Sequence, residues 1–219
     1  VAVEALECPT MLENGFGEHN IQGIGDKHIP LIHNVMNTDV VCAVSDHATD
    51  EFGTMITTEA GKRFLAARGV PADVVATLDH FGLSAVCNVM AAIKTAKLLG
   101  LGADDAIITV ATDGAALYPS EYPKITSRDF GGGFTNLDAA QVWGEHLANV
   151  TTAHTLELSE RDRNRIFNLG YYTWVEQQGT PLDVFEARRS QDFWRGIRAY
   201  MPVWDQMIDE FNARVAAHK

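Results

Sequence analysis

Apolar and polar positions fall into blocks whose lengths predict an α/β order in the first half of the chain. Val1 and Val3 alternate within VAVE, a short strand over residues 1–4. Residues 39–44 (DVVCAV) and 106–111 (AIITVA) are nearly continuous β-branched runs, the composition of a parallel strand buried on both faces. Ser45 offers an N-cap to an amphipathic helix over 48–68, with Thr49, Phe52, Ile56 and Ala60 near one face and Gly69 and Pro71 as its stop. Residues 82–88 lead into a second helix within NVMAAIKTAKLLG. There Val89, Ile93 and Ala96 share a face, Lys94 and Lys97 point toward solvent, and Gly100 ends the helix. Strand, helix and strand in this order imply an α/β fold, with a mostly parallel sheet flanked by helices.

After residue 121 the pattern turns helical and aromatic, over 136–149, 159–178, 181–198 and 202–218. In the last helix Trp204, Ile208, Phe211 and Val215 follow helical spacing. Residues 165–178 (RIFNLGYYTWVEQQ) are dense in aromatics, as an interface or an internal core would be. The sequence therefore divides near 122–135, into an α/β portion over 1–121 and a mainly helical extension over 122–219.

Charge and composition narrow the function. With 17 Lys+Arg against 29 Asp+Glu, the net charge of −12 disfavours nucleic acid and anionic membrane as partners. No apolar run has transmembrane length, and the three widely spaced cysteines (Cys8, Cys42, Cys87) read as reduced thiols, so a soluble cytoplasmic protein is expected. The chain opens within a strand and without an initiator Met, as a piece of something longer would.

Candidate chemistry is sparse. His28 and His33 stand five apart, with no HExxH or CxxC pattern, so no metal site is expected. No GxSxG or catalytic cysteine context is present, which leaves a hydrolase reading little support, and Cys42 within VVCAV reads as core. Gly23-Ile24-Gly25 and the 131–135 stretch GGGFT can expose backbone N–H groups to an anion, yet neither is a Walker loop or a dinucleotide fingerprint. Gly82-Leu83-Ser84 stands before a helix, where a serine is commonly just an N-cap.

Three stretches in order carry a resemblance. His19-Asn20-Ile21-Gln22-Gly23-Ile24-Gly25, running on to Ile29-Pro30, is similar to the HKIQGIG…IP segment of cysteine synthases. Gly82-Leu83-Ser84-Ala85 falls where that family has Gly-Ile-Ser-Ser, and residues 107–113 with Tyr118 and Ser120 resemble its later strand, with Thr112 in place of the family's proline. Residues 1–121 thus resemble the C-terminal part of the core of fold-type II (tryptophan synthase β-like) pyridoxal-phosphate enzymes. These include cysteine synthase, cystathionine β-synthase and the serine/threonine dehydratases.

The resemblance implies pyridoxal 5'-phosphate (PLP) as cofactor, with Ser84, Gly82 and Asp113 on the cofactor side. Gly23, Ile24, Gly25, Asp26 and His28 would lie on the substrate cleft. It implies a PLP-dependent lyase or β-replacing enzyme acting on a small amino acid, in an oligomer. The family's Schiff-base lysine and phosphate cup precede this material, so an N-terminal half or partner subunit would carry the lysine, with no catalytic residue in this chain. Lys27 lacks the family's lysine context, and Lys94 lies on the solvent side of its helix pattern. The alternative is a non-catalytic binding or regulatory protein derived from the same fold.

Overall fold

The computed structural model describes residues 1–217, and His218, at the expected end of the last helix, lies outside them. The chain packs as two compact units. One comprises Val1–Lys27 and Asp39–Leu158; the other comprises His28–Thr38 and the chain from Ser159 onward.

The first unit is built on a small mixed sheet. β1 (Ala2–Ala5) leads to the short helix α1 (Thr10–Glu13), and β2 (Val40–Val44) returns parallel to β1, with Ala2 opposite Val41 and Ala5 opposite Val44. All five residues of β2 are buried, as the unbroken valine-rich run requires. Ser45 then caps α2 (Asp46–Thr57), its Oγ accepting the Ala48 N–H at 3.1 Å. The helix expected over 48–68 is divided at Thr58, whose backbone is extended and whose hydroxyl caps α3 (Glu59–Ala67). Then come α4 (Ala72–Thr77) and α5 (Leu83–Leu99), which ends at Gly100 with φ of 64°.

α5 is turned relative to the sequence expectation. Val86, Cys87, Met90, Ala91 and Lys94 are buried, whereas Val89, Ile93 and Ala96 are half-buried. Lys94 is therefore not on the solvent side: its Nζ donates to the Ala43 carbonyl of β2 at 2.6 Å. Burial lowers its pKa from the usual lysine value. The amine replaces water with a strand carbonyl, and its methylene stem covers apolar surface.

α6 (Glu121–Asp129) and α7 (Asn136–Trp143) pack on α2 and α3, with Ala139 and Val142 in the same core as Val44, Met55, Leu65 and Met90. β3 (Thr155–Glu157) closes the sheet antiparallel to β2. Residues 122–158 thus belong with the α/β unit.

The sheet differs from the expected mostly parallel one in two respects. β3 is antiparallel, and residues 106–111 join no ladder. In that run Ile108 is 95% exposed and Val110 64%. The run and the open edge of β1 line a shared groove of about 130 Å³, Val1 and Val3 on one side and Ile107, Ile108 and Thr109 on the other. Strand propensity without a neighbour to pair with does not make a strand.

In the second unit, α8 (Glu160–Tyr171) begins with a capping box between Ser159 and Asp162 and runs into a π turn, Tyr172–Gln177. α9 (Leu182–Ala187), α10 (Gln191–Arg198) and α11 (Met201–Ala216) follow. Phe167 and Phe185 pack with their ring centroids 4.8 Å apart and their planes tilted by 54°, and the buried Arg188 guanidinium lies 5.0 Å over the Phe185 ring. Trp174 donates to the Ile29 carbonyl at 2.7 Å and Arg163 to that of Thr38 at 2.8 Å, tying residues 28–38 to α8 and its π turn. On α11, Trp204, Ile208, Phe211 and Val215 are exposed. Among the described residues, no helix is long and apolar enough to cross a membrane.

Candidate functional site

The glycine loop is held from below by α2. Asp46 accepts the Asn20 and Ile21 N–H groups at 2.5 and 3.2 Å, and Asp50 accepts from the Asn20 side chain at 2.7 Å. The two carboxylates are four residues apart and so share a helix face. Burial pushes both carboxyls above the usual carboxylate range; hydrogen bonds from Asn20 and, for Asp50, Arg128 oppose that shift. Ile21 is fully buried as the hydrophobic anchor. With that footing fixed, the loop turns through Gly23 and Gly25 at φ of 85° and 89°, angles that strongly favour glycine.

Gly23 and Ile24 line a cleft of about 390 Å³ with Ser84, Asn88, Val110 and Thr112. Ser84 is not the N-cap of α5. Gly82 occupies that position, without a side-chain cap, and Ser84 sits inside the first turn. Its Oγ lies 2.5 Å from Thr112 Oγ1. Asn88, one turn on, donates to the Val110 carbonyl at 3.0 Å. Gly82 is required sterically: a Cβ there would stand 2.5 Å from Asp113 Oδ1 and 2.7 Å from the Tyr118 ring. Its N–H donates to the Asp113 carbonyl at 2.7 Å, joining the end of the 106–113 run to the start of α5.

The remaining site residues expected from sequence lie elsewhere. Asp113 does not line the cleft; its carboxylate accepts the Tyr118 hydroxyl at 2.5 Å and that of Thr112 at 3.2 Å. Burial, followed by Asp113, pushes the Tyr118 phenol to about 12. The carbonyl of Gly25 bonds with His19 Nε2 at 3.1 Å, and that of Asp26 accepts from Thr10 at 2.7 Å, both apart from the cleft lining. His28 belongs to the second unit.

The cleft can meet part of what a PLP cofactor needs. The Ser84 hydroxyl, at the positive end of a helix, suits a neutral ring nitrogen. Among the described residues no lysine lines the cleft, and neither does the 131–135 stretch. Gly131 and Gly132 serve the turn between α6 and α7, where Thr135 forms a capping box with Asp138. All three cysteines are free and buried. Burial raises the Cys42 thiol and carries that of Cys87 to about 12, which removes them as nucleophiles at neutral pH.

Sequence reasoning passed over a second cluster in the first unit. His47 and Glu51 are four apart on α2, and Glu145 and His146 lie in the π turn Gly144–Ala148 that extends α7. His146 Nε2 is 2.7 Å from Glu51 Oε2, with both side chains buried. The i,i+4 spacing of His47 and Glu51 was the available signal; their partners come from about a hundred residues away in sequence. No family model, no curated protein and no solved structure matches the chain.

Proposed function

We propose that this chain is the C-terminal portion of a PLP-dependent lyase or β-replacing enzyme acting on an amino acid. An N-terminal half or partner subunit would supply the lysine. The observation that carries this reading is the convergence of Gly23, Ile24 and Ser84 on one cleft, although some sixty residues separate the loop from the serine. The family resemblance assigns these residues to substrate and cofactor, and the cleft geometry is consistent with both assignments. The mostly parallel sheet of that family would require added strands, for which the open edge of β1 and the unpaired 106–111 run offer places.

Bound PLP would supply an electron sink for β-elimination or β-replacement. Ser84 would donate its hydroxyl hydrogen to the ring nitrogen. Thr112 donates to Asp113 Oδ1, so Ser84 is the donor in the Ser84–Thr112 bond and would turn its hydrogen from Thr112 to the ring nitrogen when the cofactor binds. The N-terminus of α5 disfavours a protonated ring nitrogen beside it. Gly23 and Ile24 would present backbone and a small apolar wall to the amino-acid substrate.

Borohydride reduction in the presence of PLP, followed by peptide mapping, tests the division of labour. The expected result is no stoichiometric pyridoxyl label on this chain alone, and a label on the partner's lysine in the assembled enzyme. A stoichiometric label on Lys27 or Lys94 would sink the split arrangement. A cleft that no lysine lines among the described residues also suits the second reading, a binding or regulatory protein derived from the fold. That reading prevails if cells yield no lysine-bearing partner and the purified chain binds PLP no better than Ser84→Ala.

A further inference from the structure

We propose that His47, Glu145 and His146 form a site for a divalent ion of the zinc type, at the surface of the first unit and apart from the Ser84 cleft. Each offers one ligand atom, and the three atoms lie within 4.8 Å of one another. Two imidazoles and one carboxylate are the donor set that borderline ions such as Zn²⁺ prefer, with a fourth position left to water.

The surroundings are arranged as a metal site needs. Buried Glu51 receives His146 Nε2 at 2.7 Å. A hydrogen on that nitrogen fixes the ring and leaves the Nδ1 lone pair for an ion, the carboxylate–histidine–metal relay. The imidazoles of His47 and His146 meet edge to face at 5.5 Å. Glu145 and His146 are adjacent in the π turn Gly144–Ala148, a helix irregularity that recurs at functional sites.

His47 is 56% exposed in its side chain, so an ion can reach it and the ring can swing to close the shell. Zinc–donor distances of about 2.0–2.2 Å require such a closure. Asp129 also approaches His47 and Glu51, but Arg128 holds both its oxygens, at 2.7 and 2.6 Å. It is therefore excluded from the ligand set. The bound ion would clip the π turn to α2.

The test is zinc binding to the full chain, purified without a histidine tag, by competition with a chromophoric chelator. Cobalt(II) absorption reports the geometry. One zinc per chain at micromolar affinity or tighter is expected, with tetrahedral cobalt bands. His47→Ala and Glu145→Ala, both at exposed positions, should keep the far-ultraviolet spectrum and weaken binding at least about tenfold each. Glu51→Gln should weaken it by about 10–100-fold without removing a ligand. Failure to bind submillimolar zinc overturns the proposal, as does unchanged affinity in both exposed variants.

Discussion

Residues 40–44 and 106–111 are nearly the same kind of sequence, and the fold treats them oppositely. VVCAV is buried at every position, pairs with β1 and β3, and has its Ala43 carbonyl met by Lys94. ITVA within the second run lies outside the sheet, held at its end through Asp113 to Gly82 and Thr112 to Ser84, and along its length through Asn88. The lesson concerns what a β-branched run specifies. It specifies a segment that gains from burial on both faces; whether that gain is realised depends on what lies beside it.

Substitution breaks the comparison most sharply at its buried end. Val41→Asp places a carboxylate at a fully buried position between two strands. Loss of cooperative folding is expected, a penalty above about 4 kcal/mol. Circular dichroism and a thermal melt read it, and a melt within a few degrees of the parent would refute the central place given to β2.

Lys94→Met asks how the ladder is completed. It leaves the Ala43 carbonyl without its side-chain donor, for about 1–3 kcal/mol. The pH dependence is more telling. The folded-state pKa of Lys94 is lowered from 10.5, so between that lowered value and 10.5 the unfolded chain binds more protons. Stability contributed by this group therefore rises with pH across that window. Denaturant titrations at several alkaline pH values should show the rise in the parent and its loss in Lys94→Met.

Ser84→Ala examines the joint between the unpaired run and α5. Its hydroxyl bonds Thr112 and does not cap the helix, so the cost should be about 1 kcal/mol, from one hydrogen bond. If the assembled enzyme forms, Ser84→Asp should alter the PLP spectrum and abolish β-chemistry while retaining the cofactor. Parental spectrum and turnover in that variant would remove Ser84 from the ring nitrogen.

The smallest effect is the most diagnostic. Ile108→Asp, at a position 95% exposed, should change the stability of this chain by less than about 0.5 kcal/mol. If an added strand fills the groove between β1 and residues 106–111, the same change should block assembly with a partner. Gel filtration with and without the partner separates the two outcomes.

Much of the local structure was legible without coordinates. β1 and β2, the Ser45 cap, the Gly69 and Gly100 stops, α5, α8 and α11 follow from propensity, capping and turn chemistry, which act over a few residues. The helix expected over 181–198 is instead divided at Ser190, whose backbone is extended and whose hydroxyl caps α10. That Gly23 and Ile24 meet Ser84 on one cleft was decided by the fold, since some sixty residues separate them in the chain. The buried face of α5 was misjudged because Lys94 found a strand carbonyl, a partner that residue type alone does not announce.

Tertiary structure decided the rest. Residues 122–158 join the α/β unit because Ala139 and Val142 fill its core and β3 pairs with β2. The His47, Glu145 and His146 cluster exists only where two distant helices meet. Sequence by itself determined which segments favour helix or extended backbone, since those preferences arise from each residue's own sterics and nearest neighbours. Pairing, burial and side-chain clusters depend on groups far apart in the chain, and only the folded arrangement brings those groups within a few ångströms of one another.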